Sequence, residues 1–407
     1  MRISKVAIKT RIRRNRILRT LLDESGLSLS RLSQQTGISL PMVSGIALSL
    51  KREGFIDLHE EKNAERAGRP PIVANLRGEA GCVFGIDIGH RTTNMVLLDL
   101  QRSIVSERYE QSPPLGDDPR IIDWILEELR TTLGHANVPA KRFLGLGVSL
   151  PGLVRGREGM SESYLHFRTA SVRDLLQARL RKPVQLEHDA KAMALSERWF
   201  GAARTYDNAL CLNIGWGVGL GILIDGRLCY GRDGYAGELG HLRVLGNGPL
   251  CYCGKRGCLE TVASGMAIGR NARERIAAGA ASLLREMARG NLEAIDAALV
   301  VRGAKEGDRF SIELIEEAGR YLGEGVGHLI NIFNPAIIIL GGRVSQAGAV
   351  LLDATRSSAI RCSHVRLNRD VRFTVSTLGP TAGALGVAML AARELFAVEY
   401  LNPSAYV

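Results

Sequence analysis

The sequence predicts a mixed α/β protein preceded by a small helical head with a wing. From Gly81 onward, β-rich apolar runs alternate with helical stretches, and two of these blocks begin alike. The first eighty residues instead carry helical periodicity, a helix-turn-helix spacing and most of the net charge. With 407 residues, 45% hydrophobic and 23% charged, the chain is long enough for two or three domains with their own cores. Its 46 glycines against 13 prolines suit many tight strand-to-helix turns rather than low complexity.

Residues 1–80 hold 15 Lys+Arg and 8 Asp+Glu, a net +7 of the total +11, and eight basic residues fall between Arg2 and Arg19 with no acidic one. Such a run is the footprint of a phosphate-backbone binder, although charge alone fits a solvated basic arm equally well. Ile17, Leu18, Leu21 and Leu22 share one helical face, and Gly26 ends that helix. A second helix starts at Ser28. Small Ser33, Gly37 four residues on, Val43 six further and Ile46 three after that have helix-turn-helix spacing: Ser33 where the helices cross, Gly37 in the turn, Val43 and Ile46 as core pins.

Ser39 is placed to cap the second helix of that pair and Pro41 suits its first turn, which leaves Ser39, Leu40, Met42, Ser44 and Gly45 as candidates for base-edge contact. Phe55-Ile56-Asp57-Leu58 and Ile72-Val73-Ala74 read as two strands of a wing. At its tip, Arg69 in Gly68-Arg69-Pro70-Pro71 is a candidate for minor-groove insertion, while the prolines fit a stiff linker at least as well. The implied partner is double-stranded DNA.

No stretch reaches the ~18 apolar residues needed to span a bilayer, and the basic N-terminus has no apolar signal core behind it, so a cytoplasmic protein without membrane contact is expected. Seven cysteines, three of them between Cys251 and Cys258, are a poor disulfide framework and a good metal site. His241, Cys251, Cys253 and Cys258 supply four ligands within eighteen residues, with Gly254 and Gly257 free to turn the loop. Four protein ligands predict a closed, structural Zn2+ site. Cys82, Cys211, Cys229 and Cys362 read as small core residues.

Val83–Leu100 gives strand, Asp87-Ile88-Gly89, then strand; Ala209–Leu228 gives strand, Gly215-Trp216-Gly217-Val218-Gly219, strand and an Asp225-Gly226 turn. Together with Gly237-Glu238-Leu239-Gly240-His241 and the Cys251–Glu260 segment, this resembles the ROK family of repressors and sugar kinases, over essentially the whole chain. The resemblance implies an actin-like (ribonuclease H-like) fold of two α/β lobes around a sugar cleft behind a winged helix-turn-helix. Domains are then expected at 1–78 (DNA-binding), 79–200 (first lobe) and 201–407 (second lobe with the zinc loop, its C-terminal helix returning to the first).

The resemblance also implies that His188, Asp189, Glu238, His241 and Glu260 hold sugar hydroxyls, a task for which carboxylates are suited because each accepts two hydroxyls. His188 stands where the family has Asn. Asp189 reads alternatively as a carboxylate favoured in the first turn of a helix. Of the family's phosphate turns, Asp87 and Gly89 survive but are followed by His90 and Arg91, and Trp216 replaces a small threonine, which argues against ATP. The favoured function is a repressor of carbohydrate genes, a homodimer or homotetramer whose operator binding responds to a sugar or sugar phosphate. The alternative is a sugar kinase with an appended head.

Overall fold

A computed structural model describes residues 5–60, 70–167 and 170–397. In the head, α1 (Lys5–Asp23), the short strand β1 (Leu27–Ser28), α2 (Leu29–Thr36) and α3 (Leu40–Arg52) precede β2 (Ile56–Glu60) and β3 (Ile72–Leu76), which form a sheet in the order β1-β3-β2. Ser28 caps α2 by accepting from Arg31 N–H, and Gly37 ends it with φ +66°. Ser33 is half-buried and its hydroxyl donates to Ile38 O, which clips the turn. Two expectations need correction. Ser39 occupies the N-cap of α3 but its side chain makes no capping bond. Val43 is buried as expected, whereas Ile46 is half-buried, and Ala47 and Leu50, one turn further on the same face, complete the inner side of α3.

The next segment runs β4 (Cys82–Ile88), β5 (Thr92–Asp99), β6 (Ile104–Gln111), α4 (Arg120–His135), β7 (Phe143–Leu150), β8 (Val154–Arg155), β9 (Met160–Ser161), α5 (Val172–Leu180), β10 (Val184–His188) and α6 (Asp189–Trp199). After it come β11 (Ala209–Ile214), β12 (Val218–Ile224), β13 (Arg227–Leu228), α7 (Glu260–Ala263), α8 (Gly265–Ala277), α9 (Leu284–Met287), α10 (Ala297–Lys305), α11 (Arg309–Phe333), β14 (Ile337–Gly341), α12 (Ala349–Cys362), α13 (Val365–Asn368), β15 (Arg372–Val375) and α14 (Ala382–Leu395). Among the described residues no helix is long and apolar enough to cross a membrane.

Two five-stranded sheets repeat one topology. The first has the order β10-β7-β4-β5-β6 and the second β13-β12-β11-β14-β15. Each opens with an antiparallel pair, β4/β5 and β11/β12, and each places the next long strand, β7 or β14, parallel to the first. The weak repeat in the sequence is thus a duplicated sheet. The Asp225-Gly226 turn joins β12 to β13 with both residues at positive φ (+50° and +70°), the two-residue hairpin turn that this dipeptide favours.

By contact the chain forms two compact units, one of residues 1–149, 165–186 and 387–407, the other of 150–164 and 187–386. α6, assigned from the sequence to the first lobe, lies in the second unit; the end of α14 lies in the first, with the head. The second unit's main core packs β11, β12 and β14 against α8, α10, α11 and α12.

Open space surrounds Gly37, with no atom within 4 Å of an added Cβ. Gly37→Val should therefore isolate the backbone cost of a β-branched residue at positive φ, about 1–2 kcal/mol. Urea unfolding of the isolated head that shows no loss would contradict the left-handed turn.

Candidate functional site

Three segments distant in sequence converge in the second unit. β10 ends on His188 and α6 begins on Asp189. α6 lies hard against the sheet: a Cβ on Gly219 or Gly221 would overlap Ala190 and Ala194, and one on Gly341 would meet the Met193 sulfur. A 3-10 turn, Leu239–His241, begins directly after Glu238, and α7 starts on Glu260, two residues past Cys258.

Asp189 Oδ1 accepts from Ala190 N–H at 2.6 Å and lies 3.3 Å from His188 Nε2. Burial raises its carboxyl to about 6, against the Ala190 bond and the Lys191 ammonium. Burial, then Lys191, lower His188 to about 4, so the imidazole is neutral at pH 7. His188 Nδ1 is buried with no hydrogen-bond partner among the described residues, a nitrogen that donates or accepts according to the tautomer.

Glu260 is buried, and its Oε2 accepts from Val218 N–H at 3.2 Å. Burial holds its carboxyl above the ordinary range against the Val218 bond and His241, and the carboxylates of Glu238 and Asp189 add to the rise. His188 feels Glu238 as well. The five residues expected at a sugar are therefore one electrostatic cluster.

The metal ligands are also together. One donor atom from each of His241, Cys251, Cys253 and Cys258 lies within 4.8 Å of the other three. Cys251 Sγ is 3.5 Å from His241 Nδ1 and Cys253 Sγ is 3.6 Å from Cys258 Sγ. A tetrahedral ion with bonds of about 2.3 Å to sulfur and about 2.0 Å to nitrogen requires edges of roughly 3.5–3.8 Å, so the donor set fits such an ion. Two of the four ligand residues are tied into the loop at their backbone: Cys251 N–H donates to Lys255 O and its carbonyl accepts from Gly254 N–H, while Lys255 Nζ donates to His241 O. Gly254 and Gly257 have φ of +87° and +73°.

His241 serves both groups through different nitrogens. Nδ1 faces the sulfurs, while Nε2 lies 2.9 Å from the Tyr252 hydroxyl and 3.9 Å from Glu238 Oε2. Tyr252, edge-on to the imidazole at 4.9 Å between ring centroids, was not anticipated from the sequence, although its place between two ligands was a signal.

Two further features escaped sequence reasoning. Glu187 is buried, with His188 N–H donating to Oε1 and Tyr230 Oη to Oε2, each at 2.9 Å. Burial pushes its carboxyl up, against those two bonds, Lys191 and Arg157. Lys191 is 1% exposed, and among the described residues no carboxylate lies within 4 Å of its ammonium. A lysine amid Ala190, Ala192, Met193 and Ala194 was the visible sign.

In each turn that resembles a phosphate loop one amide is used internally, Gly89 N–H by Thr92 O and Gly215 N–H by Gly217 O. The Asp87 carboxylate accepts from Ser149 Oγ. Carbonyls of Gly215 and Trp216 accept from Gly265 and Met266 N–H at the start of α8, and Ala267 N–H bonds Ser264 Oγ. That helix N-terminus, an ordinary anion site, is occupied by protein. Gly341 and Gly342 make close packing contacts with Met193, Asn213 and Ile214.

On the head, Ser39, Leu40, Met42 and Gly45 are exposed on the N-terminal part of α3 and Ser44 is half-exposed; Leu48 continues this face. Arg69 lies outside the described residues. Part of the basic run is structural: Arg14 pairs with Glu53 at 2.7 Å and stacks over Phe55, and Arg16 donates to Thr36 O at the end of α2.

The model of the ROK family matches residues 83–394, and that of winged helix-turn-helix DNA-binding domains matches residues 11–57. The chain belongs to the ROK family. It is 28% identical over 387 residues to the xylose repressor of Caldicellulosiruptor bescii, covering 94% of this chain and 96% of that one. With the glucokinase of Thermotoga maritima it shares 33% over 311 residues, 76% of this chain and 96% of that. A solved ROK family transcriptional regulator, a homolog of the Escherichia coli MLC protein, superposes with a TM-score of 0.80 at 27% identity, over 96% of this chain and 97% of that. This ROK protein, with its winged head, is a DNA-binding transcriptional regulator.

Tyr230→Phe should leave Glu187 Oε2 without its donor and destabilise the protein by about 1–3 kcal/mol. Because the folded carboxyl already sits above its unfolded value, stability falls as pH rises past that value, and losing the donor raises it further. The penalty in urea unfolding should thus be larger near about pH 8 than near about pH 5; equal penalties would contradict the assigned bond.

Proposed function

We propose that this ROK regulator senses a sugar, that His188, Asp189, Glu238, His241 and Glu260 hold its hydroxyls, and that no phosphoryl group is transferred. One observation carries the reading: the carboxylates of Asp189, Glu238 and Glu260 and a neutral imidazole with an unpartnered buried nitrogen lie close enough to perturb one another, a group rich in acceptors. Sugar hydroxyls donate to such acceptors. The name of the xylose repressor among its relatives supports a sugar as effector, and His90 and Trp216 in the phosphate-like turns support a sensor over a kinase.

The ion of the His241, Cys251, Cys253 and Cys258 site is zinc, which when bound supplies a rigid loop and no chemistry of its own. His241 Nδ1 belongs to that site and Nε2 to the sugar, so the loop orients a sugar-binding group. Ligand shifts the population between two arrangements of an oligomer, a homodimer or homotetramer, in which paired heads (residues 1–78) match operator half-sites well or badly. In each head Ser39, Leu40, Met42, Ser44 and Gly45 face the major groove and Arg69 the minor groove.

Cys253→Ser should lower zinc from one per chain to well below it by metal analysis and weaken the sugar response, since a serine hydroxyl is a poor ligand for zinc. Full zinc content in that variant, or none in the wild type, counts against the site.

Asp189→Asn should cost about 2–4 kcal/mol, or roughly 30- to 1000-fold, in sugar affinity by calorimetry, while sugar-free operator binding persists. In the wild type the group must be ionised to accept hydroxyls. With its carboxyl at about 6 and His188, Lys191, Glu238 and Glu260 around it, affinity should be flat above neutrality and fall as pH drops below 6. Sugar-dependent ATP turnover would favour the kinase instead.

A further inference from the structure

The first unit contains a cavity of about 410 Å³ where the head meets the α/β part of that unit. Arg11 and Asn15 of α1 form one wall, Arg181, Lys182 and Gln185 at the α5–β10 connection a second, and Glu394 at the end of α14 a third. Three cations face one carboxylate, and none of the four makes an ion pair with a described residue. Asn15 and Gln185 are 7% and 8% exposed, yet neither side chain has a hydrogen-bond partner among the described residues. Both amides border the basic cavity and have no protein partner among the described residues, so they are free to pair with a ligand.

We propose that this cavity binds a small phosphorylated sugar, separately from the hydroxyl site around Asp189. A phosphate monoester carries about −1.5 to −2 charge at neutral pH, the complement of three cations and one acid. Amides both donate and accept, which suits hydroxyls. The volume lies within the roughly 300–1000 Å³ of small-molecule pockets.

The position gives the ligand a consequence. Asp23, the last residue of α1, already contacts the α/β part: Arg393 pairs with its carboxylate at 2.9 Å and Arg102 donates to its carbonyl at 3.3 Å. Asn15 and Arg11 lie 8 and 12 residues earlier, roughly 12 and 18 Å along the helix. A ligand there adds a second point of attachment to α1 and fixes the direction of the whole head.

Full-length protein carrying Asp189→Asn, so that the first site is silenced, is titrated by calorimetry with glucose 6-phosphate, glucose and inorganic phosphate. One glucose 6-phosphate per chain should bind, inorganic phosphate more weakly and glucose not at all. Arg181→Glu with Lys182→Glu should lower that affinity by at least roughly 30-fold. Gln185→Leu removes an amide without a partner, so it should abolish binding without lowering the melting temperature of the free protein; a merely structural Gln185 would lower it. Absence of binding in the Asp189→Asn background, with binding in the wild type, would assign the ligand to the first site and overturn the proposal. So would affinities unchanged by either cavity variant.

Discussion

The close contact between α6 and the second sheet is the constraint on which the site depends. Residues Ala190, Met193 and Ala194 meet Gly219, Gly221 and Gly341 with no room for a Cβ on the strand side. At this separation the first turn of α6 is carried down onto β12, and His188 and Asp189 arrive beside the strand whose first amide, Val218 N–H, holds Glu260. Even a methyl group at Gly221 would meet the Ala190 carbonyl as well as the Ala194 methyl, and packed interiors absorb such an insertion only by moving an element. A shift of α6 moves Asp189 but not Glu260. Backbone packing thus sets the distance between the acceptors of the site.

Crowding acceptors has an electrostatic cost. Asp189 and Glu260 are both raised by burial, and Glu238 and Asp189 raise Glu260 further. Lys191 opposes the rise at Asp189 and at Glu187, and His241 opposes it at Glu260. Protonating His188 would bring another positive charge, but burial keeps it neutral, with Nε2 3.3 Å from Asp189 Oδ1. The cluster therefore keeps an excess of acceptors over donors, and a polyol reverses that imbalance without bringing charge. The thiol of Cys251 faces His241 Nδ1, and the Tyr252 hydroxyl and Glu238 face its Nε2, so one imidazole joins the candidate metal ligands to the acidic cluster.

What the sequence disclosed follows the range of the interactions concerned. The metal cluster was legible because four ligands fall within eighteen residues and the ion geometry is local. The helix-turn-helix was legible by spacing, but spacing could not tell Ile46 from Ala47, since a rotation of a few tens of degrees exchanges which of two neighbours is buried. The basic run overstated the DNA surface because Arg14 and Arg16 are committed to Glu53 and to Thr36 O. The acidic cluster joins residues 188 to 260, and only family resemblance linked them. Lys191 showed itself only as a charge among alanines, and Glu187 carried no pattern: the significance of both is burial, which depends on what packs over them.

A response relayed to DNA has to cross the junction of head and α/β part in the first unit. Its polar contacts include Arg393 with Asp23, Arg102 with the Asp23 carbonyl, and Gln101 Nε2 with Leu76 O. The ion pair is about one-third exposed on each side, and such pairs contribute about 0–1 kcal/mol. The two hydrogen bonds contribute about 1 kcal/mol each. The Arg393 and Arg102 contacts converge on Asp23, so that end of α1 can act as a pivot. A hinge of this kind lets DNA choose among head orientations at little cost, and it makes any group that bridges α1 and the α5–β10 connection decisive out of proportion to its own affinity.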